Sequence, residues 1–400
     1  MLLSVRQGPK IWAVAGVRVG AALMAAALGL AAGGSPRAGG LSGLQFRRTY
    51  GNTQVWLMNA NGSHQRVSPL HHYGTWSSTG THVAYSNGSG GYVAKGDGSD
   101  PHRVARLPAD PDNKCFAPDW SPNAEQLAFV TQCGIDAANL VVERADFTNR
   151  RRLAKGFRTL RPRWSPDGRT ILFAGRAPGE FSFAFYVVRP DGDGPERIPG
   201  FTFDFTYARD TNWEWSRDGK TIFALLETHQ LFAVPRGGGR ARLLAPKLTV
   251  AAFDLSPDGA RIVLQAQSGL ADWEIYVMRS DGTHLRQLTH NGSQDTAPTR
   301  SPRGDKIAFV SERNGNCCAD IYVMKPDGTA GKGISRVPAR SGRTPRAGFL
   351  EGSCARQTGR SSTSLRQTGR CSCRTDSPYC AERAPGSSPH RTAPGRPRAR

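Results

Sequence analysis

Trp164-Ser165-Pro166-Asp167-Gly168, then a polar pair, then Ile171-Leu172-Phe173-Ala174: the reading of this chain turns on that phrase. Proline presets φ at the second position of a turn, and glycine takes the left-handed φ that closes a hairpin with a bulge. A short continuous apolar run after such a turn reads as a strand covered on both faces. The phrase recurs, with losses, at Trp76, Trp120, Trp215, Leu255 and Arg300, in steps of 44, 44, 51, 40 and 45 residues. A period near 45 residues is the signature of a four-stranded propeller blade.

A second phrase follows each anchor. Ile307-Ala308-Phe309-Val310 leads through a loop to Ile321-Tyr322-Val323-Met324 and the tight turn Asp327-Gly328. Leu255-Ser256-Pro257-Asp258-Gly259 leads likewise to Ile262-Val263-Leu264, Ile275-Tyr276-Val277-Met278 and Asp281-Gly282. Each unit therefore holds four antiparallel strands, A to D, and no helix. Such a sheet buries both faces only when stacked radially between neighbours. Strands B and C occur seven times, beginning with Leu44-Gln45-Phe46 and Val55-Trp56-Leu57-Met58, whereas strand A occurs six times. The expected fold is an all-β propeller over residues 41–335, with seven blades and a ring closed poorly or not at all. Six blades with extra strands is the alternative.

Trp-Ser-Pro-Asp-Gly and Ile-Tyr-Val-Met-x-x-Asp-Gly together resemble the TolB-like β-propeller family, whose WD40-like repeats carry Pro-Asp in place of Trp-Asp. That resemblance implies a propeller and an envelope role. The family includes cell-envelope proteins of the Tol–Pal system and the propeller domains of prolyl-oligopeptidase-type hydrolases. The chain departs from the pattern at Arg300, at Asn123-Ala124 in place of Asp-Gly, and in the missing closing strand.

The net charge of +21 is concentrated at the ends. Residues 336–400 hold 14 Arg and no Lys against Glu351, Asp376 and Glu382. This segment lacks apolar periodicity and is expected to be disordered. It reads as an out-of-frame stretch, as an Arg-rich arm for phosphates, or as a solvated extension. At the other end, Arg6, Lys10 and Arg18 precede the apolar stretch Val19–Leu30 and the small residues Ala31 to Ser35. Residues 1–34 are therefore expected to be a signal peptide or an uncleaved membrane anchor, which places the propeller in the periplasm or outside the cell.

Catalytic signatures are missing from the sequence. Gly219-Lys220-Thr221 lacks the earlier glycine of a phosphate loop, since position 214 is Glu. There is no Gly-x-Ser-x-Gly and no His-Glu-x-x-His. Asp167, Asp218, Asp258 and Asp327 stand beside turn glycines, where the carboxylate bonds its own backbone. No cofactor or metal site is expected. Cys354, Cys371, Cys373 and Cys380 lack the spacing of a zinc site.

Two aromatic loops are the candidate partner surface: Phe181 and Phe183, with Phe185 beside them, and Phe201, Phe203, Phe205 and Tyr207 in the insertion that lengthens one step to 51 residues. The bland alternative is that alternate phenylalanines pack beneath the insertion as a strand. His71, His72 and Tyr73 occupy a loop on the same face. Cys115 and Cys133 lie nine residues either side of Ala124, as Asp295 and Arg313 do about Gly304. The first pair is expected to be a disulfide or two buried thiols, and the second an ion pair. The functional expectation is an exported, non-enzymatic platform binding another protein or peptide on its loop face, with no call for nucleic acid or, beyond the N-terminal segment, for membrane. The alternatives are the propeller of a serine hydrolase and a nucleic-acid binder acting through the Arg-rich tail.

Overall fold

In the computed structural model Ser165 holds its own turn together. Its hydroxyl donates to Asp167 Oδ1 at 2.5 Å and accepts from the Thr170 amide at 3.0 Å, while Asp167 Oδ1 also accepts from the Arg169 amide at 3.1 Å. The same pattern recurs from Ser216 with Asp218 and from Ser256 with Asp258. Gly168 closes the turn at φ +71°, a conformation that a side chain would strain. The turns also meet one another between sheets. A Cβ at Gly168 would lie 3.6 Å from Pro122, one at Gly219 3.7 Å from Pro166, and one at Gly304 3.2 Å from Pro257. These three turn glycines thus pack on the proline of the preceding turn, whereas Gly259 packs on Arg217.

The structure describes residues 74–334 except 88–89, 107–115, 132–138, 193, 205–210, 270, 302 and 314–319; before residue 74 it describes Ser63 and five strands. Those five form the first sheet, in the order Lys10–Val14, Ala26–Leu30, Gly43–Tyr50, Asn52–Met58, Arg66–Val67. Six four-stranded antiparallel sheets follow, each built from consecutive strands. The second runs from Gly74–Trp76 to His102–Arg106 and the third from Asp119–Trp120 to Arg151–Leu153. The fourth comprises Arg158–Trp164, Ile171–Arg176, Phe183–Val188 and Glu196–Phe203. The fifth comprises Asn212–Trp215, Thr221–Leu225, Leu231–Pro235 and Arg242–Leu244. The sixth comprises Thr249–Leu255, Arg261–Gln267, Glu274–Arg279 and Arg286–Gln287; the seventh, Asp295–Arg300, Ile307–Ser311, Asp320–Met324 and Lys332–Gly333.

Strands B and C are mostly buried, fully so at Ile171 to Ala174 and Phe183 to Val188. The apolar clusters straddle consecutive sheets: fourth with fifth, fifth with sixth, and sixth with seventh. This is the radial stacking that the continuous apolar runs require.

One expectation about strands is corrected. Ala26–Leu30 pairs antiparallel with Gly43–Tyr50 and so fills the strand A place of the first sheet. It carries no turn phrase, and an Ala-rich apolar run satisfies the leader pattern as well as the strand pattern. The last strand D is Lys332–Gly333, paired with Tyr322 and Val323. No strand is exchanged between the chain ends among the described residues; Lys10–Val14 instead lies against strands A and B of the seventh sheet.

Candidate functional site

Antiparallel order puts the B–C and D–A connections on one face, opposite the Ser-Pro-Asp-Gly turns. On this loop face the fourth sheet carries the aromatic residues. Its strand D has eight residues, against three in the fifth sheet and two in the sixth, so part of the insertion is taken up as strand. The register shifts between Ala184 and Tyr186, and Phe183 then pairs with Phe203. Phe183, Phe185 and Phe203 are buried. Phe185 lies 5.0 Å from Phe203, 6.0 Å from a parallel Phe201, and 5.5 Å edge-on from Trp213 of the fifth sheet. Phe201 is half-buried and reaches Phe232 at 5.3 Å. Phe183, Phe185, Phe201 and Phe203 thus pack on one another as residues of strands C and D.

Phe181 differs. It is 91% exposed, the most exposed large apolar side chain among the described residues. Its carbonyl accepts from Arg176 at 3.5 Å, and the Arg158 and Arg176 guanidinium groups lie 5.4 and 5.7 Å from the Phe183 ring beside it. The loop is anchored by Glu180, which accepts from Tyr186 at 2.8 Å and meets Arg197 at 3.4 Å. Burial, with the Glu180 bond adding to it, pushes the Tyr186 hydroxyl up to about 12. His71, His72, Tyr73, Phe205, Tyr207, Cys115 and Cys133 lie outside the described residues.

At the junction of the sixth and seventh sheets the same face is charged. Arg313 Nη2 donates to Asp295 Oδ2 at 2.8 Å, so the expected ion pair is present. Its geometry departs from the direct opposition that counting from Gly304 gave. The register shifts between Thr296 and Thr299, so Asp295 pairs with Ser311 and Arg313 reaches back diagonally. Asn291 Nδ2 also donates to Asp295 Oδ2, at 2.6 Å. Gln294 bridges the two sheets. It donates to Asp272 Oδ1 at 2.8 Å, accepts from the Trp273 amide at 3.1 Å, and its carbonyl accepts from the Glu312 amide at 3.2 Å. Burial pushes the Glu274 carboxyl up, with Asp295 adding to it and the Thr289 hydroxyl opposing.

A polar ladder on the inner strands went unseen in the sequence. The residue before an anchor bonds the next sheet. Asp119 Oδ2 accepts from the Trp164 amide at 2.6 Å, and Asp254 Oδ2 from the Arg300 amide at 2.7 Å. Arg163 meets Glu214 at 3.4 Å. Anchor indoles reach back, Trp120 Nε1 to the Thr75 carbonyl at 2.9 Å and Trp215 Nε1 to the Arg163 carbonyl at 3.4 Å. The signal was the polar residue immediately before each anchor. Arg300, the departure from Trp, is only 4% exposed, and its Nε and Nη2 find no hydrogen-bond partner among the described residues. Burial pulls its guanidinium down to about 10. The turn aspartates are taken up in backbone and hydroxyl bonds, as expected, including Asp327 with Thr329. Among the described residues no group of three His, Cys, Asp or Glu side chains is placed to hold a metal ion.

Residues 238–344 match the model of the TolB β-propeller domain. An uncharacterized protein of Agrobacterium fabrum is 28% identical over 49% of this chain and 65% of its own length. A TolB homolog of Chlorobium luteolum is 42% identical over 13% of this chain and 12% of its own. The chain thus spans less than two thirds of either relative. The β-propeller domain of the Trilobed protease from Pyrococcus furiosus, which has an open velcro topology, superposes with a TM-score of 0.54 at 9% identity, over 82% of this chain and 99% of that one. Repeat phrases and sheet order agree on a β-propeller, and its residues 238–344 are similar to the TolB β-propeller domain.

Proposed function

We propose that this chain is an exported, non-enzymatic protein-binding platform of the cell envelope, and that its loop face makes the contact. The observation that carries the reading is Phe181, 91% exposed above an otherwise buried aromatic junction. A large aromatic presented to water beside a packed junction is the kind of side chain that anchors protein interfaces. The carboxylates next to the turn glycines are bound within their turns, which argues for structural rather than catalytic use. The similarity to a TolB homolog supports an envelope setting, and the basic, apolar and small-residue order of residues 1–34 supports export.

The test places a photo-crosslinking amino acid at position 181, and separately at Arg303 in the turn face, in cells expressing the full chain. Discrete adducts from 181 and none from 303 are expected. Equal labelling from both positions, or none from either, overturns the loop-face reading. Turnover of a peptidyl nitroanilide or a nitrophenyl ester by the purified chain overturns the non-enzymatic one. The mass of the mature protein tests export. Cleavage after the small residues would also remove Lys10–Val14 and Ala26–Leu30 from the first sheet.

A further inference from the structure

The loop face carries a second feature of a different chemistry, at the junction of the sixth and seventh sheets. Four carboxylates converge there: Asp272 and Glu274 at the start of one strand C, Asp295 at the start of the next strand A, and Glu312 after the next strand B. Half-buried Asp272 and exposed Glu312 form the rim, with half-buried Trp273 between the buried and exposed acids. Asp295 is the floor, at 0% exposure, and its Oδ1 has no hydrogen-bond partner among the described residues. Among the described residues the cation joined to it by an ion pair is Arg313, which is already committed. Its Nη2 binds Asp295 Oδ2, its Nε donates to Ser311 Oγ at 2.8 Å, and its guanidinium lies 4.5 Å from the Tyr322 ring. Four carboxylates against one clamped guanidinium leave an excess of negative charge on a chain whose net charge is positive. The like charges also act on one another. Burial and then Asp295 raise Glu274, and partial burial and then Asp272 raise Glu312.

We propose that this junction receives the guanidinium or ammonium group of a basic side chain on a partner peptide. The inference rests on the platform reading and adds the partner's chemistry. A cation set between Asp272 and Glu312 would be held by charge-assisted hydrogen bonds, and the Trp273 ring would cover its aliphatic stem or its charged face. Gln294 keeps the rim in place by bonding Asp272, Trp273 and Glu312 together across two sheets. An organic cation suits this rim better than a bare metal ion, because the carboxylates are spread over two sheets and form no ligating group of three.

The experiment is fluorescence anisotropy on the full chain at low salt with a fluorescein-labelled Gly-Arg-Gly-Arg peptide, and with the same peptide carrying citrulline for arginine. Binding of the arginine peptide is expected, with citrulline weakening it at least about tenfold through loss of the charge-assisted bonds. An Asp272→Asn/Glu312→Gln variant should weaken it by a similar factor and leave the urea midpoint unchanged. Glu312→Gln alone, at an exposed position, should show a smaller loss in the same direction. Equal binding of the two peptides overturns the inference, as does a folded double variant that binds like the wild type. Phe181→Ser should leave the arginine peptide's affinity unchanged. If position 181 yields adducts in cells and the peptide does not bind, the platform reading stands and only the basic partner falls.

Discussion

The junction between the fourth and fifth sheets and the junction between the sixth and seventh occupy equivalent places in the repeat and are filled by opposite chemistry. The first packs Phe183, Phe185 and Phe203 against Trp213, and has Trp215 as its anchor. The second keeps an apolar centre, Ile275, Val277, Ile307 and Phe309, but places buried Arg300 at the anchor and Asp295, Glu274 and Arg313 at the loop end. Stacked sheets need an apolar interior between them, and both junctions have one. The ends of the strands are free to differ, because there a bonded polar group is tolerated as well as an aromatic ring. The first junction should therefore depend on area and shape, and the second on the pairing of particular atoms.

The largest expected effect is Phe185→Ala. This fully buried ring touches three other aromatic side chains across two sheets. Its removal should cost about 3–5 kcal/mol, read as a fall in the urea midpoint at constant slope. A cost below about 1 kcal/mol would mean that the aromatic junction is not a packed core, and the contrast would collapse. Cys115 and Cys133 come next. They hold, in the third sheet's part of the sequence, the slots filled by Asp295 and Arg313 in the seventh. If oxidised they close a loop of a size for which chain entropy gives about 3 kcal/mol. Thiol counting on the unfolded chain, with and without reductant, decides between a bridge and free thiols; full alkylation without reductant removes the bridge.

Breaking the polar junction should cost less. Asp295→Ala leaves the Arg313 guanidinium without its carboxylate and Asn291 without its acceptor. Arg313 is partly exposed, so water takes up some of the loss, and a cost of about 1–3 kcal/mol is expected. Double-mutant cycles with Arg313→Met should return most of that cost as coupling. Arg300→Trp runs the other way. It replaces a buried guanidinium with two unpartnered donors by the residue that anchors four other units. A gain of about 1–2 kcal/mol in the same urea measurement is expected from relieving buried unsatisfied groups. No gain would show that Arg300 is paired in solution.

The contrast also sets what the sequence could disclose. The turn phrase and the doubled apolar runs are local, so Asp167, Gly168 and Ile171 to Ala174 were readable in place. The pairing of Asp295 with Arg313 was readable because it lies within one hairpin, although the hairpin is not centred on Gly304 and the bulge at Thr296 to Thr299 moves the register by one further position. What lies between sheets was not readable. Asp119 bonding the Trp164 amide, or Gly219 packing on Pro166, joins residues about one repeat apart, and although a polar residue precedes each anchor nothing local names its partner. Gln294 is the clearest case: an ordinary loop glutamine in sequence, and the link between two sheets in the structure. The aromatic loop was found by composition, but only burial separates Phe181 from the rest.

The smallest expected effect is on pH dependence, and here the two kinds of carboxylate carry opposite signs. Asp167, Asp218 and Asp258 are held below the usual range, first by their serine hydroxyl bonds. Their contribution is therefore present above the unfolded-state value and is lost as pH falls through the lower folded-state values. Glu274 is raised, first by burial, with His290 and Thr289 opposing and Asp295 reinforcing. The folded state binds its proton more tightly than the unfolded chain does. Its cost is absent below the ordinary carboxylate range, grows as pH rises through that range, and is complete above the raised folded value. Glu274→Gln keeps an acceptor for Thr289 and removes the charge. The stability of the variant minus that of the wild type should rise as pH increases from the unfolded toward the folded value of Glu274 and then level off. Urea midpoints taken across that interval measure it. A flat difference would mean that Glu274 titrates as it does in the unfolded chain, and that the polar junction holds its carboxylates without mutual strain.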